Sequence, residues 1–233
     1  MEDAKRFVEV RARSMRFDVL RQLRNAILHG SFKPGERLNE SEIAREMGIS
    51  RGPVREAILE LETEGLVKIE HRRGAYVVKL EPEAFGDLVD LRILLETHAV
   101  RIAARLCSPA DYAGLERIIE QMRRAHAAGD TEKVVDNDLE FHRTLCALAG
   151  NQLLLEAWEQ LTGRLRLAML LWIEHGLDDT TQNLQMHQEV LDAMRQRDGE
   201  RAAQRINSGN REAAAEMAPI LTQYGMAEKV DSS

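Results

Sequence analysis

The chain has 233 residues, of which 44% are hydrophobic and only 4% aromatic, and its formal net charge is −7. Few aromatic and many Leu, Ala, Arg and Glu residues favour packed helices over a β-sandwich. No stretch approaches the ~18 apolar residues of a membrane-spanning helix. Residues 1–16 lack the apolar segment of a secretory signal, and Cys107 and Cys146 form no CxxC pair. We therefore expect a cytoplasmic protein without a disulfide scaffold.

The charge is distributed unevenly along the chain. Residues 1–80 hold 16 basic and 13 acidic side chains, a net charge of +3, whereas residues 81–233 hold 16 and 26, a net charge of −10. This asymmetry predicts two domains with different partners. We place the first domain over 1–80, with an N-terminal extension over 1–16, and the second over 81–225, followed by a tail over 226–233.

The first 80 residues show the pattern of three short helices followed by a β-hairpin. The apolar spacing predicts helices over 17–29, 40–47 and 51–64, and the alternating runs predict strands over 66–70 and 75–79. A glycine follows each helix, as is common at helix ends. We expect Ser50 to cap the third helix, with Pro53 in its first turn. The order of elements is that of a winged helix-turn-helix.

The third helix carries two arginines that suit a DNA partner. Arg51 and Arg55 are four residues apart, so both lie on one edge of the helix near its positive N-terminus. Such a helix can enter the major groove and bind guanine edges or phosphates. The alternative is that these arginines form ion pairs with Glu56 or Glu60 on a solvated face. The basic turn between the two strands favours DNA binding.

From residue 83 onward the pattern is entirely helical. We predict helices over 83–106, 109–127, 131–149, 152–174, 180–197 and 199–223. The segment 108–111 combines an N-cap serine, a first-turn proline and the acid of a capping box. The fold class is therefore mainly α, with a small β-hairpin wing and a C-terminal all-α bundle.

Polar residues interrupt the apolar stripes of this bundle. Asp138 and His142 are four residues apart on one helix, His187 lies within the stripe of another, and Arg92 adjoins a third. Because an unpaired buried charge costs several kcal/mol, these groups need partners. If they converge at the bundle centre, the Asp/His set suits Zn²⁺, Ni²⁺, Mn²⁺ or another divalent ion. The alternative for each histidine is a core residue satisfied by hydrogen bonds.

Two sets of motifs resemble known families. The segments PGERLNESEIAREMGISRGPVREAILELETEGLV and HRRGAYVV closely resemble the DNA-binding domain of the GntR family. The segments DLRILLE, DNDLEFHRTLCALAGN, HQEVLDAM and RDGE resemble the FCD ligand-binding domain of the FadR-like branch. The resemblance implies a one-component transcriptional regulator, usually a repressor, that binds a palindromic operator as a homodimer.

The GntR resemblance also assigns residues to DNA. Those at or near DNA in the helices are Ser41, Arg45, Ser50, Arg51, Gly52 and Arg55. Those of the wing tip, which reaches the minor groove in this family, are His71, Arg72, Arg73 and Gly74.

The FCD resemblance implies a divalent metal held by one Asp and three His. Asp138, His142 and His187 match the first three ligands, and Arg92 matches a residue that often pairs with a small carboxylate effector. By the family's spacing, the fourth ligand, a histidine of the last helix, should fall about 22 residues after His187, but that position is Gly209 and no histidine follows His187. Three ligands can still bind a metal, with water or effector completing the shell. The next residue, Asn210, is a candidate to contribute to the effector site through its amide.

Two alternatives remain open at this point. The metal site is either retained with three ligands or lost, in which case Asp138 pairs with Arg92 or a histidine. The predicted function is a ligand-responsive repressor rather than an enzyme. The alternative is a metal-dependent enzyme acting on a small carboxylate, against which the sequence has no HExxH, GxSxG or phosphate-loop motif.

Overall fold

The computed structural model describes residues 13–28, 31–79, 82–174 and 180–226. They divide into two compact units, the first ending at Val78 and the second beginning at Lys79. The predicted boundary residue 80, the predicted helix end at 29, most of the predicted extension (1–12) and the tail from residue 227 lie outside the described residues.

The first unit is a winged helix-turn-helix, as predicted. Its elements are α1 (Arg13–Leu28), β1 (Arg37–Leu38), α2 (Glu40–Glu46), α3 (Arg51–Thr63), β2 (Val67–Glu70) and β3 (Gly74–Val77). The three strands form an antiparallel sheet in the order β1-β3-β2. The prediction missed β1, because its two residues are too few to show alternation. Leu38 pairs with Ala75 of β3 and is buried.

Apolar packing of α1 against α3 forms the core of this unit. Leu23 and Ile27 of α1 and Val54, Ile58 and Leu61 of α3 are almost fully buried. The first helix begins at Arg13, four residues before the predicted start at 17. The prediction was wrong there because the added turn, residues 13–16, has no apolar period to reveal it.

Ser50 occupies the N-cap position of α3 with extended backbone, but its side chain makes no capping hydrogen bond. The prediction that it caps the helix was therefore wrong. Residue type and position suit a cap, yet a serine hydroxyl can rotate away from the helix. Its side chain is exposed instead.

The second unit is all-α, as predicted. Its helices are α4 (Pro82–Leu106), α5 (Pro109–Ala127), α6 (Thr131–Leu148), α7 (Gln152–Glu159), α8 (Thr162–Glu174), α9 (Thr180–Arg195) and α10 (Gly199–Met226). The single helix predicted over 152–174 is wrong, since α7 and α8 are separate. No proline marks this break, and the two helices separate because they pack differently: α7 against α4 and α6, α8 against α6 and α10. No helix in the described part of the chain is long and apolar enough to span a membrane.

Helix ends in this unit are defined by side-chain caps. The capping box predicted at the start of α5 is confirmed: Ser108 accepts a hydrogen bond from the Asp111 backbone N–H, and Asp111 accepts one from Ser108. Asp130 and Asn151 cap α6 and α7 by accepting hydrogen bonds from the backbone N–H groups of Lys133 and Leu154, without the reciprocal bond of a capping box. These starts orient α6, which carries two of the predicted metal ligands.

Candidate functional site

The residues predicted to bind DNA from the helices are all exposed. Ser41 and Arg45 lie on α2, and the others lie at or next to the N-terminus of α3, namely Ser50, Arg51, Gly52 and Arg55. The buried stripe of α3 turns this polar edge toward solvent. The first unit therefore presents a polar, basic edge built from two helices.

The arginines of this edge have no acidic partner in the described residues. Neither Arg51 nor Arg55 forms an ion pair there, and Glu60, one suggested partner, pairs with Arg16 instead. A cation near a helix N-terminus opposes the helix dipole, so Arg51 does not stabilise α3 electrostatically. The ion-pair alternative therefore has no support, and the two guanidiniums are available to bind an anion.

The wing tip is also basic and exposed. His71, Arg72 and Arg73 form the turn between β2 and β3, and Arg72 has a φ of 61°. Arg73 pairs with Glu70 at 3.0 Å. Gly74, at a φ of 115°, lies against Arg37 of β1, whose Nε would be 2.9 Å from a Cβ at position 74.

Arg37 is an exposed basic residue beside the wing that the sequence reasoning missed. Its place beside the wing depends on β1, and β1 left no pattern in the sequence. The wing thus presents basic side chains from β2, from the turn between β2 and β3, and from the added strand β1.

In the second unit, Asp138, His142 and His187 come together in the interior. The first two lie on α6 and the third on α9, all three are buried, and one ligand atom from each lies within 4.8 Å of the others. The Nε2 atom of His187 is 3.2 Å from Asp138 Oδ1, and the Nε2 atom of His142 is 4.0 Å from Asp138 Oδ2.

Four atoms of this cluster are buried without a hydrogen-bond partner: Asp138 Oδ2, His142 Nδ1, His142 Nε2 and His187 Nε2. Three of them, Asp138 Oδ2 and the two Nε2 atoms, are the candidate ligand atoms. Buried polar atoms are rarely left unsatisfied, because each costs about 1–3 kcal/mol. Two imidazole nitrogens and one carboxylate oxygen form a donor set that suits a divalent ion such as Zn²⁺. The cluster can therefore hold a metal.

The far side of each imidazole faces an acceptor. Nδ1 of His187 lies 2.7 Å from the backbone oxygen of Asn183. Nδ1 of His142 lies 2.9 Å from Glu96 Oε2, an ion-pair distance whose angle does not suit a hydrogen bond. Acceptors at Nδ1 favour the tautomer in which Nε2 carries the lone pair that a metal needs. Burial lowers the pKa of His142, because an apolar environment disfavours the charged ring.

Glu96 is a second residue that the sequence reasoning did not assign. Its fully buried carboxylate accepts hydrogen bonds from Arg92 Nε at 2.8 Å, Trp158 Nε1 at 2.8 Å and Asn210 Nδ2 at 3.1 Å. Burial by itself raises the pKa of Glu96, but Arg92 and His142 outweigh it and lower the pKa to about 2. The four-residue spacing from Arg92 was the available indication of this pair.

Arg92 also faces Asp138, with 3.7 Å between Nη2 and Oδ2. Burial by itself raises the pKa of Asp138, but His187, His142 and Arg92 together lower it below its ordinary value. Arg92 is thus compensated by two carboxylates. Asp138 lies at ion-pair distance from Arg92 and from His187, contacts that are compatible with both alternatives from the sequence.

A cavity of about 110 Å³ opens beside the cluster and is lined by Arg92, Asp138, His142 and Asn210. Gly209 lines it too, and a Cβ there would lie 3.0 Å from Met186 Cγ. Gly209 therefore faces the cavity, but no side chain extends from it toward the cluster.

Trp172 of α8 is a further lining residue that the sequence reasoning missed. Its Nε1 atom is buried without a hydrogen-bond partner. An indole N–H can only donate, so the cavity wall holds an unused donor opposite an apolar lining. No pattern in the sequence distinguishes Trp172 from a core tryptophan.

Comparisons with known families agree with both units. Residues 17–77 match the family described as "Bacterial regulatory proteins, gntR family", and residues 87–209 match the FCD domain. This chain belongs to the GntR family and carries an FCD domain. It is a transcriptional regulator of that family.

Individual GntR regulators are similar over most of the chain. The Nta operon transcriptional regulator of Aminobacter aminovorans is 37% identical over 145 residues, 61% of this chain and 67% of that protein. The gluconate operon transcriptional repressor of Bacillus subtilis (strain 168) is 28% identical over 181 residues, 76% of this chain and 74% of that protein. The crystal structure of a GntR regulator from Rhodococcus sp. RHA1 has a TM-score of 0.60 and 27% identity, covering 88% and 97% of the two chains.

Proposed function

We propose that this GntR regulator is a homodimeric repressor in the cytoplasm that binds a palindromic operator and responds to a small carboxylate. The observation that carries DNA binding is the pair of uncompensated arginines, Arg51 and Arg55, on the exposed edge of α3. Repression is supported by the Bacillus subtilis relative, which is named a repressor. That relative acts on a gluconate operon, and gluconate is itself a small carboxylate.

In this proposal α3 enters the major groove. Arg51 and Arg55 bind guanine edges or phosphates there, because a guanidinium fits both acceptors in a bidentate manner. Gly52 has no side chain, so α3 can approach the DNA backbone closely at this position. Supporting phosphate contacts come from Ser41, Arg45 and Ser50. The wing tip, formed by His71, Arg72, Arg73 and Gly74, reaches the adjacent minor groove.

Two copies of the chain give the operator its symmetry. A two-fold dimer presents two identical α3 helices, so its site is a palindrome with half-sites spaced by the dimer. Each half-site is bound by one winged unit.

The helical unit is the proposed sensor. Asp138, His142 and His187 would hold a divalent ion of the Zn, Ni or Mn class, which supplies a Lewis-acidic positive charge when bound. Because Gly209 contributes no ligand, coordination positions stay open for an effector carboxylate. Arg92, already directed into the cavity, pairs with that carboxylate, and the amide of Asn210 lies beside it.

Effector binding and DNA binding are then coupled. If the effector weakens the affinity for the operator, the DNA-bound protein must bind the effector more weakly by the same factor. The coupling free energy is typically ~1–3 kcal/mol. Fluorescence anisotropy with the upstream DNA fragment of the gene tests this. A carboxylate that releases the fragment should lower affinity about 5–150-fold. A carboxylate that binds the protein tightly but leaves operator affinity unchanged contradicts the coupling, and multiple-turnover product from it would indicate an enzyme.

Elemental analysis tests the metal. The purified wild type should contain about one divalent ion per chain, and His142→Ala should lose it, because Nε2 of His142 is one of the three unsatisfied ligand atoms. The matched control is His126→Ala, since His126 is an exposed histidine on α5. A wild type without metal, or a His142→Ala variant with a full complement, overturns the metal site.

A further inference from the structure

We propose that Glu96 is a positioning residue for the metal and effector site: its carboxylate orients the ring of His142 and the guanidinium of Arg92 toward one cavity. This inference rests on the proposed metal site and adds to it a residue outside the Asp/His set. Glu96 itself does not line the cavity, so its role is exerted through its neighbours.

The carboxylate connects four helices at one buried point. Its partners are Arg92 on α4, His142 on α6, Trp158 on α7 and Asn210 on α10. Three of these, Arg92, His142 and Asn210, line the cavity beside the cluster. A displacement of Glu96 therefore reaches several parts of the proposed site at once.

The two carboxylate oxygens divide these partners. Oε1 accepts from Arg92 and Trp158, whereas Oε2 accepts from Asn210 and lies 2.9 Å from His142 Nδ1. An ionised carboxylate can only accept, so a nitrogen facing it is favoured when it carries a proton. The inference is that Nδ1 of His142 carries the proton, which leaves the lone pair on Nε2, the atom 4.0 Å from Asp138 Oδ2.

His187 shows the same arrangement with a different acceptor. Its Nδ1 atom faces the backbone oxygen of Asn183 at 2.7 Å. A backbone acceptor cannot be removed by substitution, whereas Glu96 can be. The orientation of His142 is therefore the one that a side-chain variant can test.

Glu96 also sets the direction of Arg92. Because the Nε atom of Arg92 is bound to Oε1, its Nη2 atom projects toward Asp138 at 3.7 Å. The far end of the guanidinium consequently lies where the proposed carboxylate binds. Without Glu96 the guanidinium has Asp138 as its remaining acidic partner in the described residues, and would turn toward it.

The test compares Glu96→Gln with wild type in two measurements. Long-range ¹H–¹⁵N NMR of the metal-free proteins reports the tautomer of His142, and we expect Nδ1–H in wild type and a mixture in Glu96→Gln, whose amide also offers a donor to the ring. Competition between the protein and a chelator for Zn²⁺ alone gives affinity. We expect a loss of about 10–100-fold, the range found when an outer-shell partner is removed.

Two control variants distinguish a positioning role of Glu96 from a general loss of packing in the helical unit. Glu200→Gln makes the same substitution at an exposed carboxylate that pairs with Arg101, and Trp158→Phe removes one donor to Oε1 without touching the contact with His142. Both should keep the wild-type tautomer and bind Zn²⁺ within about 3-fold of wild type, against the 10–100-fold range expected for an outer-shell partner. If Glu96→Gln fails to fold by circular dichroism, Glu96→Asp, which keeps the charge but shortens the reach, takes its place.

The outcomes are distinct. A wild-type tautomer and wild-type Zn²⁺ affinity in the Glu96 variant overturn the positioning role, as does an equal loss in Trp158→Phe. A wild type that binds no Zn²⁺ or other divalent ion overturns the metal part of the proposed function. The tautomer of the metal-free protein still decides the role of Glu96 in that case.

Discussion

The two proposed sites differ in whether their arginines have acidic partners. On the winged unit, Arg51 and Arg55 are exposed and have no acidic partner among the described residues. In the helical unit, Arg92 is buried and compensated by Glu96 and Asp138. An exposed charge is solvated and costs little to leave unpaired, whereas a buried charge must be compensated in the folded protein before any ligand arrives.

The difference belongs to the sites rather than to the units as a whole. The winged unit also contains a nearly buried arginine, Arg24, which pairs with Glu64 at 2.6 Å. The helical unit has exposed arginines that do find partners, such as Arg123 with Glu120 at 2.5 Å. At the edge proposed to bind DNA, an internal acidic partner would compete with phosphate, and Arg51 and Arg55 have none among the described residues.

Removing the buried arginine should have the largest effect. Arg92→Met leaves Glu96 and Asp138 uncompensated, and we expect the metal-free helical unit to lose about 3–5 kcal/mol of unfolding free energy. Urea denaturation at neutral pH measures it. The matched control is Arg51→Met, which should change stability by less than about 0.5 kcal/mol because that side chain is solvated. A change below about 1 kcal/mol in Arg92→Met would mean that Arg92 is not what compensates these carboxylates.

Removing the exposed arginine should instead affect DNA. Arg51→Ala should weaken operator binding by ~1–3 kcal/mol, the discrimination of a bidentate base contact, with no change in thermal unfolding. Fluorescence anisotropy measures the affinity. Arg123→Ala, an exposed arginine of α5 that already has an acidic partner, is the control and should bind as wild type. Equal affinities for Arg51→Ala and wild type would remove α3 from the recognition surface.

The two N-cap serines extend the comparison to uncharged residues. Ser108→Ala removes a capping box and should cost about 1 kcal/mol of stability. Ser50→Ala removes a hydroxyl that makes no cap bond, so it should cost clearly less while weakening operator binding. Thermal melts and anisotropy on both variants check this. Equal stability losses would show that Ser50 caps α3 after all.

Substitutions in the wing should have the smallest effect, and it should appear mainly in the salt dependence of operator affinity. Arg72→Ala should lower the slope of log affinity against log salt by about 1, because one phosphate contact is lost. Arg73→Ala should change the slope less, since Arg73 already pairs with Glu70. Titrations at several salt concentrations measure the slopes. Identical slopes in all three proteins would place the wing away from the phosphates.

Most of the helices were predictable because long apolar stripes repeat with the helical period. The errors have specific causes. The strand β1 is two residues long, and the break between α7 and α8 depends on different packing partners rather than on a proline or a cap. Ser50 has the residue type of a cap without the hydrogen bond. In each case the local pattern was compatible with more than one tertiary arrangement.

The candidate site shows the same limit. Spacing identified Asp138, His142 and His187 as inward-facing, because three- and four-residue intervals place residues on one face of a helix. Spacing could not identify Trp172, whose unpartnered Nε1 atom becomes visible only beside the cavity. Spacing indicates only the pairing of Glu96 with Arg92 on its own helix, and its other partners come from three helices distant in the chain.

The two-domain organisation, the helical class, the basic edge of α3 and the inward-facing residues were predictable from the sequence. They follow from periodicity, charge and local capping, which act over a few residues. Three properties could be read only from the packed helices: which inward-facing groups meet, that Glu96 joins four helices, and which arginines of the described residues lack a partner. Those properties depend on distances between elements far apart in the chain, because compensation of a buried charge is settled only when the helices pack together.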